Sequence, residues 1–518
     1  MAITQLKQKA KQLMTMPVIP KTTVEVQEFF EDAMQEKMVQ FTWRGEVDKV
    51  KEQVTPEEDQ KIVAEITLEE LKLVMEKMKK NKAPGPDGIP LEAYLVLPDQ
   101  QLQVIVEVYN QWIGGKCIPA KHKHGITLLF YKHKGEKTDL KNYRPITLTN
   151  MVYRIYTTII QKRMEPVMQK VIPQSQQGFL KRRTIANNIL VLREKMWQAK
   201  HSKKPLYVMF VDFAKAYDTI HRGMIYDTMW KLGFHKAIWP IVEAAEGMTI
   251  KVQVNATTTK TINCKVGVPQ GGPLSPYLFN IGLLSLQNLL PQSIWYADDG
   301  VIMSDSWQDF QKQVYKLQTW ATQCHMTVSV DKSKIMVINP ESQVCRQGIT
   351  LPQGQIKTLE ATKPHRYLGV GVAEQMTDAT WYHYAMETWT KRVDKWKTRK
   401  LSVPAKCVII NVMLIPIFHH VFQICLPPPS IVRKIKHDVQ LLLGGKVDHK
   451  GRMHRQGVGV KTLYRPWQEG RCNLVMVERR AQALYSKIWI QMSTYMRSKE
   501  TKALWPEMIQ QSQGNTEV

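Results

Sequence analysis

Ile294-Trp295-Tyr296-Ala297-Asp298-Asp299-Gly300-Val301-Ile302-Met303 is three apolar residues, a polar tip and three more apolar residues. The pattern predicts a strand, a tight turn and a second strand, with Asp and Gly supplying the turn chemistry. Acids flanked by apolar strand residues are costly to bury unless something positive neutralises them, and a divalent cation is the usual solution. Asp and Gly are also the commonest residues of plain hairpin turns, and taken alone the stretch favours that plainer reading. A second acid ends a second apolar run. Leu206-Tyr207-Val208-Met209-Phe210-Val211 reads as a short strand buried on both faces, and Asp212 closes it.

Outward from these strands the chain is helical. Thr67 and Glu70 form a capping-box pattern ahead of Leu68, Leu71, Met75 and Met78, and Pro84 and Pro86 require that helix to stop near Asn81. Further helices are predicted through Val152, Ile155 and Ile159, through Ile185, Ile189, Leu192 and Met196, and through Ile225, Met229 and Leu232, where Gly233 is the stop. Residues 1–54 show no clear periodicity and read as an extension. The 518 residues carry 72 Lys and Arg against 46 Asp and Glu, a formal net charge of +26. An excess of that size points to a polyanionic partner. Seven cysteines with no CxxC pair argue against a disulfide framework or a zinc knuckle. Met1–Pro20 has no continuous apolar stretch and does not read as a signal peptide. Val408–Phe418 is the most apolar segment; eleven residues containing Asn411 and Pro416 are too short to span a bilayer and read as buried core, so no membrane partner is expected.

The surroundings of the acids resemble a known family. Tyr296-Ala297-Asp298-Asp299 resembles the YADD/FADD box of reverse transcriptases, and Phe210-Val211-Asp212-Phe213-Ala214-Lys215-Ala216-Tyr217-Asp218 resembles their first catalytic strand. Gly267-Val268-Pro269-Gln270-Gly271-Gly272-Pro273-Leu274-Ser275-Pro276 lies between them and is similar to the family's QG-x-PLSP segment. Lys82–Gly88, Tyr143-Arg144-Pro145-Ile146 and Gln177-Gly178-Phe179 followed by Arg183 look like those of non-LTR (LINE-type) retrotransposon polymerases. Tyr367-Leu368-Gly369-Val370 looks like the primer-grip hairpin, and Leu401-Ser402, Ala405-Lys406 and Leu414–Ile417 look like the thumb. The boxes occur in the family's order over roughly residues 60 to 480.

The resemblance implies an α+β right-hand polymerase with fingers, a palm holding an antiparallel sheet, and a helical thumb. Its implied segments are an extension at 1–54, a fingers-side helical lead-in at 55–107, the reverse transcriptase domain at 108–372, a thumb at 373–450 and a C-terminal region at 451–518. Asp212, Asp298 and Asp299 would hold two Mg2+ ions, Mn2+ being the alternative, with the backbone carbonyl of Phe213 as a further ligand. Lys132, ahead of the turn Lys134-Gly135, and Arg144 would hold the incoming triphosphate. Gln270 and Tyr217 would also meet the nucleotide, Tyr217 as an aromatic that collides with a 2′-hydroxyl; Asp218 would be a structural hydrogen-bonding acid. Lys332 would protonate pyrophosphate, with Lys334 close enough to share the assignment. Arg183, Gly271, Tyr367, Leu368 and Gly369 would contact template or primer, and Lys391, Arg392 and Lys395 would meet duplex phosphates. Trp389 and Trp396 share a helical face beside those cations and read as packing.

The implied activity is RNA-templated DNA synthesis from deoxynucleoside triphosphates onto a primer 3′-hydroxyl, in an intracellular setting. A catalytically inactive nucleic-acid-binding remnant is the alternative; an RNA-copying RNA polymerase is disfavoured by Tyr217. Gly272 stands where LINE polymerases often carry Cys or Asp, and Pro269 replaces a common basic residue. Only 24 residues separate Gly271 from Tyr296, short for the family. No room precedes residue 60 for an N-terminal endonuclease, which suggests a truncated element or partial frame.

Overall fold

The structure is a computed structural model describing residues 18–34, 52–133, 135–444, 446–447, 453–454, 463–466, 468 and 472–496. Lys134, half of the turn Lys134-Gly135, lies outside the described residues, as does much of 1–54 and 451–518. The chain mixes helix and sheet and divides into two compact units.

The first unit comprises Met1–Arg183, Val211–Gly300 and Lys312–Ser329. Its sheet runs in the order Tyr143–Thr149, His124–Tyr131, Thr249–Val254, Thr257–Thr258, with Ile262–Asn263 also paired to Thr249–Val254. The first pair is antiparallel with Phe130 opposite Arg144, and the second is parallel with His124 opposite Thr249. Burial alternates along Thr249–Val254, as a half-buried sheet requires. Behind it the helix Met151–Val171 buries Tyr156, whose ring meets those of Tyr109 and Trp112 at 5.4 and 5.2 Å.

The sequence expectations meet four differences here. The helix predicted from Thr67 is present as Leu68–Lys77, with Thr67 accepting from the Glu70 backbone N–H, but it ends before Asn81. Its capping box is half made, because the Glu70 carboxylate is taken by Arg163 at 2.9 and 2.6 Å; a complete box stands instead at Thr55 and Glu58. The extension contains a helix, Thr23–Met34, that buries Val26 and Phe30. The turn chemistry of 294–303 is also not as expected. The strands are Ser293–Tyr296 and Asp299–Ser304, so the two turn residues are Ala297 and Asp298, with Ala297 at φ +54°. Gly300 lies in the strand instead, where the Trp295 ring covers it so closely that an added Cβ would sit 2.2 Å from a ring carbon. The helices Met151–Val171, Ile185–Ser202 and Arg222–Leu232 are as predicted, the last capped by Gly233 at φ +99°.

The second unit comprises Thr184–Phe210, Val301–Gln311 and Val330–Val518. Leu206–Val211 is buried at every position, and it pairs antiparallel with Lys334–Ile338, Lys334 lying opposite Phe210. A hairpin of His365–Tyr367 and Val370–Val372 turns through Leu368 and Gly369, both at positive φ (+43° and +89°), as the tightest two-residue hairpins require. The long helix Asp378–Lys397 buries Trp389, which donates its indole N–H to Asp438 at 2.9 Å. The most apolar segment is longer than its sequence spacing suggests. Pro416 does not end the helical path, because a π turn at Ile410–Leu414 and a 3₁₀ turn at Ile415–Phe418 carry it through. The continuous run Val403–Phe422 has 20 residues and is apolar enough, by length and composition, to cross a membrane. Its Phe418 and Phe422 are buried against Tyr382, but Val408, Val412 and Met413 are exposed, so the expected buried core holds on one face only.

Candidate active site

The acids are delivered by the ends of strands. Asp212 follows Leu206–Val211 directly, and its backbone carbonyl accepts from Ser329 N–H at 2.8 Å. Phe213 begins the next short strand, its ring buried near Trp295 and Trp320. Asp298 occupies the turn and Asp299 opens the return strand. Burial raises the Asp298 carboxyl above the ordinary Asp range, and Asp212 raises it further, while Arg144 and Lys132 pull it down. Solvent reaches Asp299, yet its packed surroundings, with Asp298 and Asp212, push it up to about 7. The three acids and two cations therefore share one electrostatic neighbourhood in the first unit.

Among the described residues no group of three or more His, Cys, Asp or Glu side chains is arranged as a ready-made metal cage. Magnesium does not need one, since it takes one or two carboxylates and completes its octahedron with water and substrate phosphate. Asp298 and Asp299, whose proton affinity is raised by burial and by neighbouring acids, are donors that a cation would relieve, so these residues fit the ion.

The remaining first-unit residues surround the acids. Gln270 donates its side-chain amide to both oxygens of Asp218 at 3.2 and 3.3 Å, and its backbone carbonyl accepts from Thr147 N–H at 2.9 Å. Burial, against the pull of Gln270 and Lys215, pushes Asp218 up to about 6. Gly271, exposed at φ +110°, follows in the same loop. The Tyr217 ring stacks on Phe279 with centroids 4.2 Å apart and planes 12° apart, and its carbonyl accepts from Val268 N–H. Burial raises the Tyr217 hydroxyl strongly, with Asp298 adding to it. Lys132 is exposed and donates to the Lys141 carbonyl; Arg144 is exposed on its strand.

Two expected nucleic-acid contacts are corrected. Arg183 is buried and gives its guanidinium to the carbonyls of Pro173, Gln176, Gln169 and Ile172, so it holds the chain together there instead of facing a template. In the second unit Tyr367 is also buried, its ring 5.3 Å from that of Phe210, so the hairpin can offer only the backbone and the turn residues Leu368 and Gly369. The Leu368 carbonyl meets the His420 ring at 2.8 Å. Lys332 is exposed in the turn before Lys334–Ile338, and Lys334 donates to the Asp331 carbonyl. Lys391, Arg392 and Lys395 are exposed on Asp378–Lys397, Arg392 reaching the Met413 carbonyl at 3.1 Å. A groove of about 530 Å³ is lined by Gly369, Arg392, Met413 and Pro416 among others.

Three positioning residues escape the sequence reading. Gln176, fully buried, accepts from Ala297 and Gly178 N–H and donates to the Ala297 carbonyl, which clamps the left-handed turn residue. Asn280 donates to the Gly178 carbonyl at 2.9 Å. Arg222, buried, donates to the carbonyls of Gly267 and Val266 and pairs with Glu246, fixing the loop that carries Gln270. Arg222 opens a helix and reads in sequence as an ordinary surface cation; Gln176 had the nearest signal, adjoining the Gln177-Gly178-Phe179 box.

Comparison with known proteins bears on this arrangement. Residues 132–372 match the family described as reverse transcriptase (RNA-dependent DNA polymerase). The RNA-directed DNA polymerase from mobile element jockey of Drosophila melanogaster is 23% identical over 383 residues, covering 69% of this chain and 41% of that protein. The transposon TX1 uncharacterized 149 kDa protein of Xenopus laevis is 24% identical over 452 residues, 82% of this chain and 33% of its own length. The Pol polyprotein from the type-2 retrotransposable element R2DM of Drosophila melanogaster is 24% identical over 308 residues, 56% of this chain and 29% of that protein. The chain thus spans about two-fifths or less of these relatives.

Proposed function

From a reverse transcriptase domain of the LINE-type, non-LTR kind at residues 132–372, we propose that this chain copies RNA into DNA, adding deoxynucleotides to a primer 3′-hydroxyl. The observation that carries the proposal is the placement of the acids, Asp212 directly after the buried strand Leu206–Val211 and Asp298 with Asp299 at the turn between Ser293–Tyr296 and Asp299–Ser304, with Lys132 and Arg144 offsetting the raised Asp298 carboxyl. Two Mg2+ ions held by these acids, with the Phe213 carbonyl in support, would activate the primer hydroxyl and neutralise the leaving pyrophosphate. Lys132 and Arg144 bind the triphosphate oxygens. Asp218 ties down the amide nitrogen of Gln270, which leaves the amide oxygen for the nucleotide. Tyr217, backed by Phe279, excludes a 2′-hydroxyl. In this reading the sheet strands form a palm, the segment around Tyr143–Thr149 belongs to fingers, and the helices after residue 373 form a thumb whose Lys391, Arg392 and Lys395 meet duplex phosphates. Lys332 as proton donor to pyrophosphate rests on the resemblance alone.

Primer extension on an RNA template by purified protein, compared with Asp298→Ala, tests the proposal. The parent should extend primers. The variant should lose extension by at least ~10³-fold, as removal of one key charged catalytic group does, and should bind template–primer within a few-fold of the parent. Equal extension by both would reduce Asp298 to a turn residue.

A further inference from the structure

We propose that Phe179, with Arg182, is a stacking platform for an unpaired base of the template strand, placed beside the catalytic hairpin. The inference rests on the polymerase reading above and names how that site takes its template. The segment from Ser175 to Phe179 is stitched to the hairpin along its length. Trp295 N–H donates to the Ser175 carbonyl at 2.7 Å, Gln177 N–H to the Trp295 carbonyl at 2.8 Å, and the Gln176 amide brackets Ala297. Gly178 packs so tightly that an added Cβ would lie 2.5 Å from Ala297 N. Arg183 gives its guanidinium to the carbonyls of Gln169, Ile172, Pro173 and Gln176, which fixes the chain leading into this segment. All this order serves a segment whose next side chain is not buried.

Phe179 is 50% exposed and sits at φ +62°, a left-handed backbone that bulky residues rarely adopt. A large apolar ring held in water on a strained backbone gains nothing for folding, and such strain persists where the surroundings impose it for use. Its ring lies 6.4 Å from that of Tyr296, two residues before Asp298, tilted by 36°. The Phe179 ring thus has Tyr296 for a neighbour while half of its surface meets solvent. Arg182, exposed and also left-handed at φ +61°, follows Leu180, which is buried, and Lys181, which pairs with Glu165. An aromatic face with a cation close along the chain is the pairing that binds single-stranded nucleic acid, the ring stacking any base and the cation meeting the backbone phosphate. A template strand fits better than the incoming nucleotide, because Lys132 and Arg144 already serve a triphosphate from a different segment. The template contact that the sequence assigned to Arg183 moves to its neighbours.

The test uses the full chain and an RNA–DNA template–primer with 2-aminopurine as the first unpaired template base, beside a blunt duplex of the same sequence. Parent protein should quench the fluorophore and prefer the overhang substrate. Phe179→Ala should lose the quench and weaken overhang binding by at least ~5-fold, with blunt-duplex binding unchanged, since a stacked base commonly contributes that much or more. Phe179→Trp should keep both. Phe179→Asn, which tolerates the left-handed backbone, should behave like Ala while melting at or above the parent temperature, which separates lost stacking from lost fold. A parent without overhang preference, or an Ala variant that keeps the preference and the quench, overturns the proposal. These readouts need no nucleotide addition, so a parent that binds in this way but fails to extend primers would sink the polymerase reading and leave the platform standing.

Discussion

Tyr217 is gripped twice, its carbonyl by Val268 N–H and its ring by Phe279, while its buried hydroxyl has no hydrogen-bond partner among the described residues. The ring's bulk, not its hydroxyl, is therefore what the site can use. Tyr217→Ala should raise ribonucleotide incorporation relative to deoxynucleotide by at least ~10-fold, the factor that relief of a ~1.4 kcal/mol clash supplies. Tyr217→Phe should leave the ratio unchanged. Competition of both nucleotide types against one primer measures it, and an unaltered preference in the Ala variant would make Tyr217 packing alone. At this scale the sequence is legible where the signal is local: Asp212, Asp298 and Asp299 adjoin apolar runs, and an acid there is conspicuous. Arg222, Asn280 and Gln176 are illegible because their partners lie 45, 102 and 121 residues away. Arg183 and Tyr367 fail in the opposite sense. Both sit in recognisable boxes, yet what surrounds a side chain in three dimensions, four carbonyls or a phenyl ring, decides whether it can reach a ligand.

Helix ends show how far elements can be read. The stripes of Ile155 and Ile159, or of Ile189 and Met196, are repeats that any helix must bury, and those helices are where the spacing puts them. The helix Ile238–Ala245 depends on something no local pattern contains. Its start has no side-chain cap of its own; instead buried Asp59 accepts from the backbone N–H groups of His235, Lys236 and Ala237 at 3.1, 2.7 and 3.0 Å. A carboxylate there satisfies donors that would otherwise be orphaned and complements the helix dipole. Asp59→Ala should cost about 2–4 kcal/mol, the range for stranding buried donors of a charged acceptor, and Asp59→Asn less. Thermal melting of the two variants checks the order, and equal melting of Ala and parent would remove the cap. The missed helix Thr23–Met34 and the misplaced turn share a cause. Two buried residues, Val26 and Phe30, are too few to announce a helix, and Gly300 beside Asp299 imitates turn chemistry although its lack of a side chain serves Trp295.

For the molecule as a whole, a net charge of +26 should make nucleic-acid affinity fall steeply with salt. A log–log slope of several units is expected, about −0.9 per phosphate contact on B-form duplex and of similar order on a hybrid. Replacing Lys391, Arg392 and Lys395 by Ala should flatten it by about two to three units by the same relation, and filter binding across a salt series would detect that. An unchanged slope would remove these cations from the nucleic-acid surface. The helical, basic character of this region is legible in composition, whereas the order of chain segments within each unit is not. The first unit gathers Met1–Arg183, Val211–Gly300 and Lys312–Ser329. Asp59 waits for donors 176 to 178 residues downstream, and Ile19 for the Asn255 amide 236 residues away. At ~5–20 residues per second of translation, roughly ten to thirty-five seconds separate the emergence of Asp59 from that of its partners. During that interval Pro56–Ile62 and Leu68–Lys77 can already pack against Met151–Val171, whereas the cap on Ile238–Ala245 and the seat of Ile19 must wait, so this unit gains its local helix packing early and its long-range ties last.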